Sequence, residues 1–134
     1  MQLAKTDECF VCGEQNRAGI RAPFRSNLDL LCSFCTVSLE DRFQGWGQIV
    51  HGGILAALLD EACIYAAKGL GGKAVTAELR LRYFKPVPCG HRMTLFGEVV
   101  EQRRRIVRAR SRAVLGGEVC VEAEAKLFID PGRG

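Results

Sequence analysis

The sequence predicts an α+β domain in which antiparallel strands surround one long helix, and three observations carry that expectation. The run from Ile54 to Lys68 is almost wholly apolar or small and rich in Ala and Leu, which is longer than a typical strand and built from good helix formers. The stretches around it alternate apolar and polar residues with a period of two, the mark of strands with one polar face. No internal repeat, low-complexity tract or Pro/Ser-rich linker interrupts the 134 residues, so residues 1–134 read as one domain.

In chain order, residues 1–19 hold Cys9, Cys12, Gly13 and Gly19 with little apolar periodicity, and read as an irregular arm. Residues 20–39 give two short strand candidates with Ser26-Asn27 as the turn signal between them. Glu40 to Gln48, with Gly45 and Gly47 around the only Trp, Trp46, is a loop that leads to His51-Gly52-Gly53. The helix follows and is ended by Gly69, Gly71 and Gly72. Val75, Ala77, Leu79 and Leu81 then alternate with Thr76, Glu78, Arg80 and Arg82 in a strand closed by Pro86 and Pro88. Met93 to Val100 is another strand. The last two strands alternate most clearly: Val107, Ala109, Ala113 and Leu115 in the first, and Val119, Val121, Ala123, Ala125, Leu127 and Ile129 in the second.

Paired residues across an antiparallel ladder must share a face, which tests the turn between those two strands. A two-residue Gly116-Gly117 loop places Arg112 opposite Val121 and mixes the faces. A three-residue loop, Leu115 to Gly117, pairs Arg110 with Glu122 and Arg108 with Glu124, and is the expectation here. A helix that is apolar nearly all round must be buried on nearly all sides. Either the sheet curls around it, or a second subunit covers it, or both.

With 48% apolar and 25% charged residues the chain suits a single soluble domain. No window approaches the roughly 18 apolar residues of a membrane span, and MQLAKTDECF lacks the apolar core of a signal peptide. Seven cysteines are an odd number for a disulfide framework, so a reducing cytoplasm is the expected compartment. The net charge of +4 is too small for general nucleic-acid binding, but Arg103, Arg104, Arg105, Arg108, Arg110 and Arg112 are clustered and point to an anionic ligand.

Within the helix the only acids are Asp60 and Glu61. Adjacent helical positions point about 100° apart, so the two occupy different environments. Asp60 shares a line with Gly53, Ala56, Ala57, Ile64 and Ala67, small residues for the most part, where an acid is costly unless paired or used. Gly52 and Gly53 at the helix start expose backbone N–H groups and the positive dipole end to a bound oxygen. His51 is a candidate general base, or else it fixes the loop.

Phe43-Gln44-Gly45-Trp46-Gly47-Gln48-Ile49-Val50-His51-Gly52-Gly53, followed by Leu58-Leu59-Asp60-Glu61, resembles the hotdog-fold acyl-CoA thioesterases of the phenylacetic-acid-degradation (PaaI-like) type. So does Tyr83-Phe84-Lys85-Pro86-Val87-Pro88, and Cys9-Phe10-Val11-Cys12-Gly13 with Asn16 and Gly19 looks like one branch of that family. The resemblance spans about Cys9 to Ile129. It implies a hotdog fold, an antiparallel sheet wrapped around one long central helix, assembled as a homodimer or a dimer of dimers. It implies thioester hydrolysis of an acyl-CoA with Asp60 as nucleophile or general base, the Gly52 N–H polarising the carbonyl, and Thr76 placing the water. Gln44 and His51 would act with Asp60 and Thr76 of a partner. Relatives often carry an Asn six positions before the His; here Gly45 stands there with Gln44 beside it. Gly53, Glu61, Phe84 and Lys85 are further candidates for substrate contact, and the chemistry requires no metal.

Arg103, Arg104 and Arg105 have no evident partner in the sequence and are the candidates for the phosphates of coenzyme A. Cys9, Cys12, Cys32 and Cys35 form a C-x2-C-x19-C-x2-C spacing that reads as a zinc site, although strand alternation sends Cys32 and Cys35 to opposite faces. Cys89 and His91 are the alternative partners for Cys9 and Cys12. Cys63 and Cys120 read as core residues. Three rival functions follow from these residues: a non-catalytic acyl-CoA-binding protein, a zinc-stabilised interaction module, and a hydratase, for which the spacing gives no specific sign.

Overall fold

In the computed structural model of the protein, which describes residues 3–131, the apolar run is helix α1 (Gly52–Ala66), continued by a 3-10 turn at Ala67–Leu70. The helix begins two residues before Ile54 because His51 caps it: its Nδ1 accepts the Gly53 N–H at 2.8 Å. That bond draws two poor helix formers into the first turn.

Six strands form one antiparallel sheet: β1 (Arg25–Asn27), β2 (Cys32–Val37), β3 (Lys73–Tyr83), β4 (Met93–Arg103), β5 (Ile106–Leu115) and β6 (Glu118–Asp130). Their order is β1-β2-β4-β5-β6-β3, and α1 touches every one of them. This is the hotdog architecture. Leu55, Leu58, Leu59, Ala62, Cys63 and Ala66 of α1 are buried against the sheet, while Ala56, Ala57, Asp60 and Ile64 stay half-buried. The curled sheet thus covers one side of the helix and leaves the small-residue line around Asp60 partly open.

Two serines pin the stretch of helix that carries Asp60. Ser111 Oγ donates to the Leu59 carbonyl at 2.8 Å, and Ser33 Oγ to the Ala62 carbonyl at 2.6 Å. Both serines are only 4% exposed. Ser111→Ala or Ser33→Ala is expected to cost about 1–3 kcal/mol of stability each, since a buried bond is lost without replacement; urea unfolding checks this.

Three local expectations need correction. The first turn lies at residues 28–31, not at Ser26-Asn27. Asn27 ends β1, and its side-chain oxygen accepts the N–H groups of Asp29 and Leu30, so the residue starts the turn rather than forming it.

The turn between β5 and β6 is the two-residue Gly116-Gly117 loop, both residues at positive φ (58° and 80°), a conformation that suits glycine and tight hairpins. A bulge restores the faces: Val114 pairs with Val119 and Ala113 with Val121, so Cys120 is the extra residue. Arg112 consequently faces Glu122, Arg110 faces Glu124, and Arg108 faces Lys126.

The third correction concerns β3, where the ladder shifts between Thr76 and Glu78 and leaves Ala77 as the extra residue. Thr76 opposes Leu127 and Ala74 opposes Ile129, both core residues. Thr76 therefore faces the helix, as Leu79 and Leu81 do, whereas uninterrupted alternation would have put it outside with Glu78.

Candidate active site

The bulge brings Thr76 to Asp60. Thr76 Oγ1 donates to Asp60 Oδ1 at 2.5 Å, and both residues are half-buried. The pairing answers the cost of an acid among small apolar neighbours, because the carboxylate gains a donor while keeping access to solvent. The hydroxyl oxygen keeps lone pairs to accept a hydrogen bond, so a water can lie between it and the second Asp60 oxygen.

A second group gathers at the start of α1. Its Gly53 amide is taken by His51 Nδ1, and the Ile54 and Leu55 amides go to the His51 carbonyl. The Gly52 amide is left without a partner among the described residues. With Nδ1 accepting, neutral His51 carries its proton on Nε2 and presents a donor, which makes it a cap rather than a base. Tyr83 donates to the Gly52 carbonyl at 2.7 Å and fixes this turn from the end of β3. Gln44 Oε1 accepts the Gln48 N–H at 2.9 Å, which holds the Gly45–Gly47 loop and leaves the Gln44 amide nitrogen as donor.

These two groups do not meet within one chain. Asp60 stands eight helical positions after Gly52, a rise of about 12 Å along the axis, and a single small group cannot touch both. Glu61 turns away from Asp60, and its Oε2 accepts from Cys9 Sγ at 3.1 Å. Tyr83 is a site residue that alternation passes over, although it opens the Tyr83-Phe84-Lys85-Pro86 motif.

Phe84 is 53% exposed, and Lys85 is ion-paired with Glu118 beside the β5–β6 hairpin. Arg103 is not unpartnered: its Nε lies 3.5 Å from Glu101 Oε1. Arg104 and Arg105, in the exposed turn between β4 and β5, have no ion pair among the described residues. That turn lies two strands from Thr76, roughly 10 Å at ordinary strand spacing. Arg108 and Arg110 pair with Glu101 and Glu98 on the outer face of the sheet. A hollow on that face, lined among others by Arg80, Arg82, Arg112, Glu122 and Phe96, lies across the sheet from α1 and is built from cross-strand charge alternation.

Cys32 and Cys35 do not join Cys9 and Cys12: Cys35 is buried in the core and Cys32 lines the outer hollow. Cys89 packs on the core and His91 is exposed, and neither reaches the first pair. Burial pushes the thiols of Cys35 and Cys63 up to about 11, so neither is a thiolate nucleophile at neutral pH. No helix among the described residues is long and apolar enough to cross a membrane.

The family model of the Thioesterase superfamily matches residues 47–122. A thioesterase superfamily protein of known crystal structure is 31% identical over 90% of this chain, with a TM-score of 0.80; the chain spans 59% of that protein's length. A mutant of the phenylacetic acid degradation protein PaaI from Thermus thermophilus is 25% identical, with a TM-score of 0.70, over 75% of this chain and 86% of its own. A hypothetical thioesterase protein with coenzyme A from Streptococcus pneumoniae shares the fold at 22% identity and a TM-score of 0.72, covering 77% of this chain and 84% of its own. None of the curated proteins matches the sequence.

Proposed function

The chain belongs to the thioesterase superfamily, and from that premise we propose that it hydrolyses an acyl-CoA thioester at a site shared by two copies of the chain. The observation that carries the reading is the Thr76–Asp60 hydrogen bond on the half-open line of α1. Asp60 and Thr76 of one copy hold a water, and Gly52, capped in place by His51, supplies an amide from the other. The split follows from the axial separation of the two groups, which only a second helix running alongside can close. Gln44 contributes its amide nitrogen at the same end as Gly52.

In this mechanism Asp60 takes a proton from water as the water oxygen attacks the thioester carbon. The carbonyl oxygen becomes an oxyanion that the Gly52 N–H of the other copy stabilises; a fixed donor of this kind contributes about 3–4 kcal/mol. The tetrahedral intermediate then collapses, the carbon–sulfur bond breaks, and Asp60 returns the proton to the departing sulfur. Carboxylic acid and free coenzyme A leave. Each partial step needs only the chain's own groups and one water.

A structure of similar fold holds coenzyme A, and the unpaired Arg104 and Arg105 suit its phosphates. Free-thiol release from a panel of aryl, short-chain and long-chain acyl-CoAs tests the activity, with at least one thioester expected to turn over. Binding without thiol release would leave an acyl-CoA-binding protein instead. Charge reversal at Arg104 and Arg105 together is expected to raise KM about tenfold with little change in kcat, the pattern of lost uniform binding. Added salt should weaken the parent in the same direction, and equal KM values across salt concentrations would assign these arginines to solvent.

A further inference from the structure

The sulfur atoms of Cys9 and Cys12 and a carboxylate oxygen of Glu61 all lie within 4.8 Å of one another. We propose that these three residues bind a zinc ion that clasps the N-terminal arm to α1. The inference is separate from the hydrolase reading, since zinc is measured without substrate.

The donor set and its spacing fit the ion. Two thiolates and one carboxylate are ligands zinc accepts, and sulfur selects it over magnesium or calcium. Around a tetrahedral zinc with bonds of about 2.0–2.3 Å, neighbouring ligand atoms stand roughly 3.3–3.8 Å apart. Cys9 Sγ and Glu61 Oε2 are already 3.1 Å apart, so the site needs small adjustments, not a rearrangement. On binding, zinc replaces the thiol protons, including the one now shared between Cys9 and Glu61. The fourth position is open to water.

The loop is shaped to present both sulfurs on one side. The Gly13 amide donates to the Cys9 carbonyl at 2.8 Å and closes a tight turn. A Cβ at Gly13 would lie 2.3 Å from the Cys9 nitrogen and 2.6 Å from the Asp7 carbonyl oxygen, so only glycine fits. Tyr65, one helical turn beyond Glu61, hydrogen-bonds Cys12 and stacks on Phe24, with ring centroids 5.1 Å apart. These contacts set the Cys12 side of the site against a packed wall.

The arm also buries little apolar surface of its own. Among residues 3–19 only Val11 adds a buried apolar side chain to the core. Its other ties include hydrogen bonds from the Ile20 N–H to the Phe10 carbonyl and the Ala22 N–H to the Val11 carbonyl, from the Arg42 guanidinium to the Ala18 and Gly19 carbonyls, and from the Lys73 ammonium to the Leu3 carbonyl. An irregular segment with so small a core is the kind that a metal stabilises. The neighbouring Cys32 and Cys35 give no competing site, because β2 places them on opposite faces.

Untagged protein kept under a reductant and equilibrated with zinc tests the proposal by elemental analysis after gel filtration. One zinc per chain is expected in the parent, and none in Cys9→Ser/Cys12→Ser. Glu61→Gln, which keeps both thiols, should hold zinc about tenfold or more weakly. Cobalt in place of zinc should give thiolate-to-cobalt absorption in the parent that Cys9→Ser/Cys12→Ser lacks. Chelation should speed tryptic cleavage after Lys5 and Arg17 in the parent. Reduced parent that retains no zinc, zinc retained equally by Cys9→Ser/Cys12→Ser, or Glu61→Gln with parental affinity would each overturn the site as proposed.

Discussion

Asp60→Asn is expected to lower acyl-CoA hydrolysis by roughly a hundredfold or more while leaving the fold intact. Asn keeps the size and can still accept from Thr76, but it cannot take the proton from water. The half-buried carboxylate sits among small apolar neighbours, so the variant should melt at the parental temperature or slightly above it. Steady-state thiol release and a thermal melt on the same preparation give both readouts. A single turnover of the parent in oxygen-18 water adds the chemical route: the acid should carry the label and Asp60 should not, as direct water attack requires. Parental rates for Asp60→Asn on every responsive thioester would remove the catalytic assignment and favour an acyl-CoA-binding role.

Gly52→Pro is expected to lower kcat by about a hundredfold to a thousandfold, because proline deletes one donor from the oxyanion site. The backbone tolerates the change. Gly52 is the first residue of α1, a position where proline is common, and His51 before it has φ −59° and ψ 134°, an extended conformation compatible with a following proline. A Cβ at Gly52 would lie 3.5 Å from the Tyr83 ring, an ordinary contact. The variant therefore removes the N–H and little else.

Mixing Gly52→Pro with Asp60→Asn then tests the shared site. Each mixed dimer would carry one doubly damaged site and one intact site. With random exchange, half the dimers are mixed and half their sites intact, so activity should recover to about one quarter of the parent. A mixture no more active than its two components would place both groups in one chain's site, against the helical separation.

Much of this arrangement was legible in the residues, and what was not had a common cause. The length and Ala/Leu content of Ile54 to Lys68 announced the helix, and β5 and β6 alternate so regularly that their faces could be read directly. Asp60 and Glu61 had to diverge on any helix, and they do. The bulges at Ala77 and Cys120 left no such trace, because an extra residue in a strand resembles its neighbours in composition. Missing the second of these made a three-residue hairpin look necessary, when a Gly116-Gly117 turn followed by a bulge also sets Arg opposite Glu. The zinc ligands show another boundary. Cys9 and Cys12 form a visible pair, but Glu61 is 52 residues away from Cys9, and only the folded chain brings the helix to the arm.

The bulge in β3 makes the site depend on how the strand is counted against its neighbour as much as on which residues it carries. A strand counts in twos, so if the full-length strand paired evenly through Ala77, Lys73 and Val75 would turn toward the helix, and Ala74 and Thr76 toward solvent. Asp60 would then lose its hydroxyl partner although neither residue had changed. Losing Ala77 itself would even out the register without harm, because Thr76 would lead directly into Glu78 in an even ladder and still stand opposite Leu127. Among descendants of this chain, position 77 is therefore the place in β3 where a residue can be lost while the threonine keeps its face.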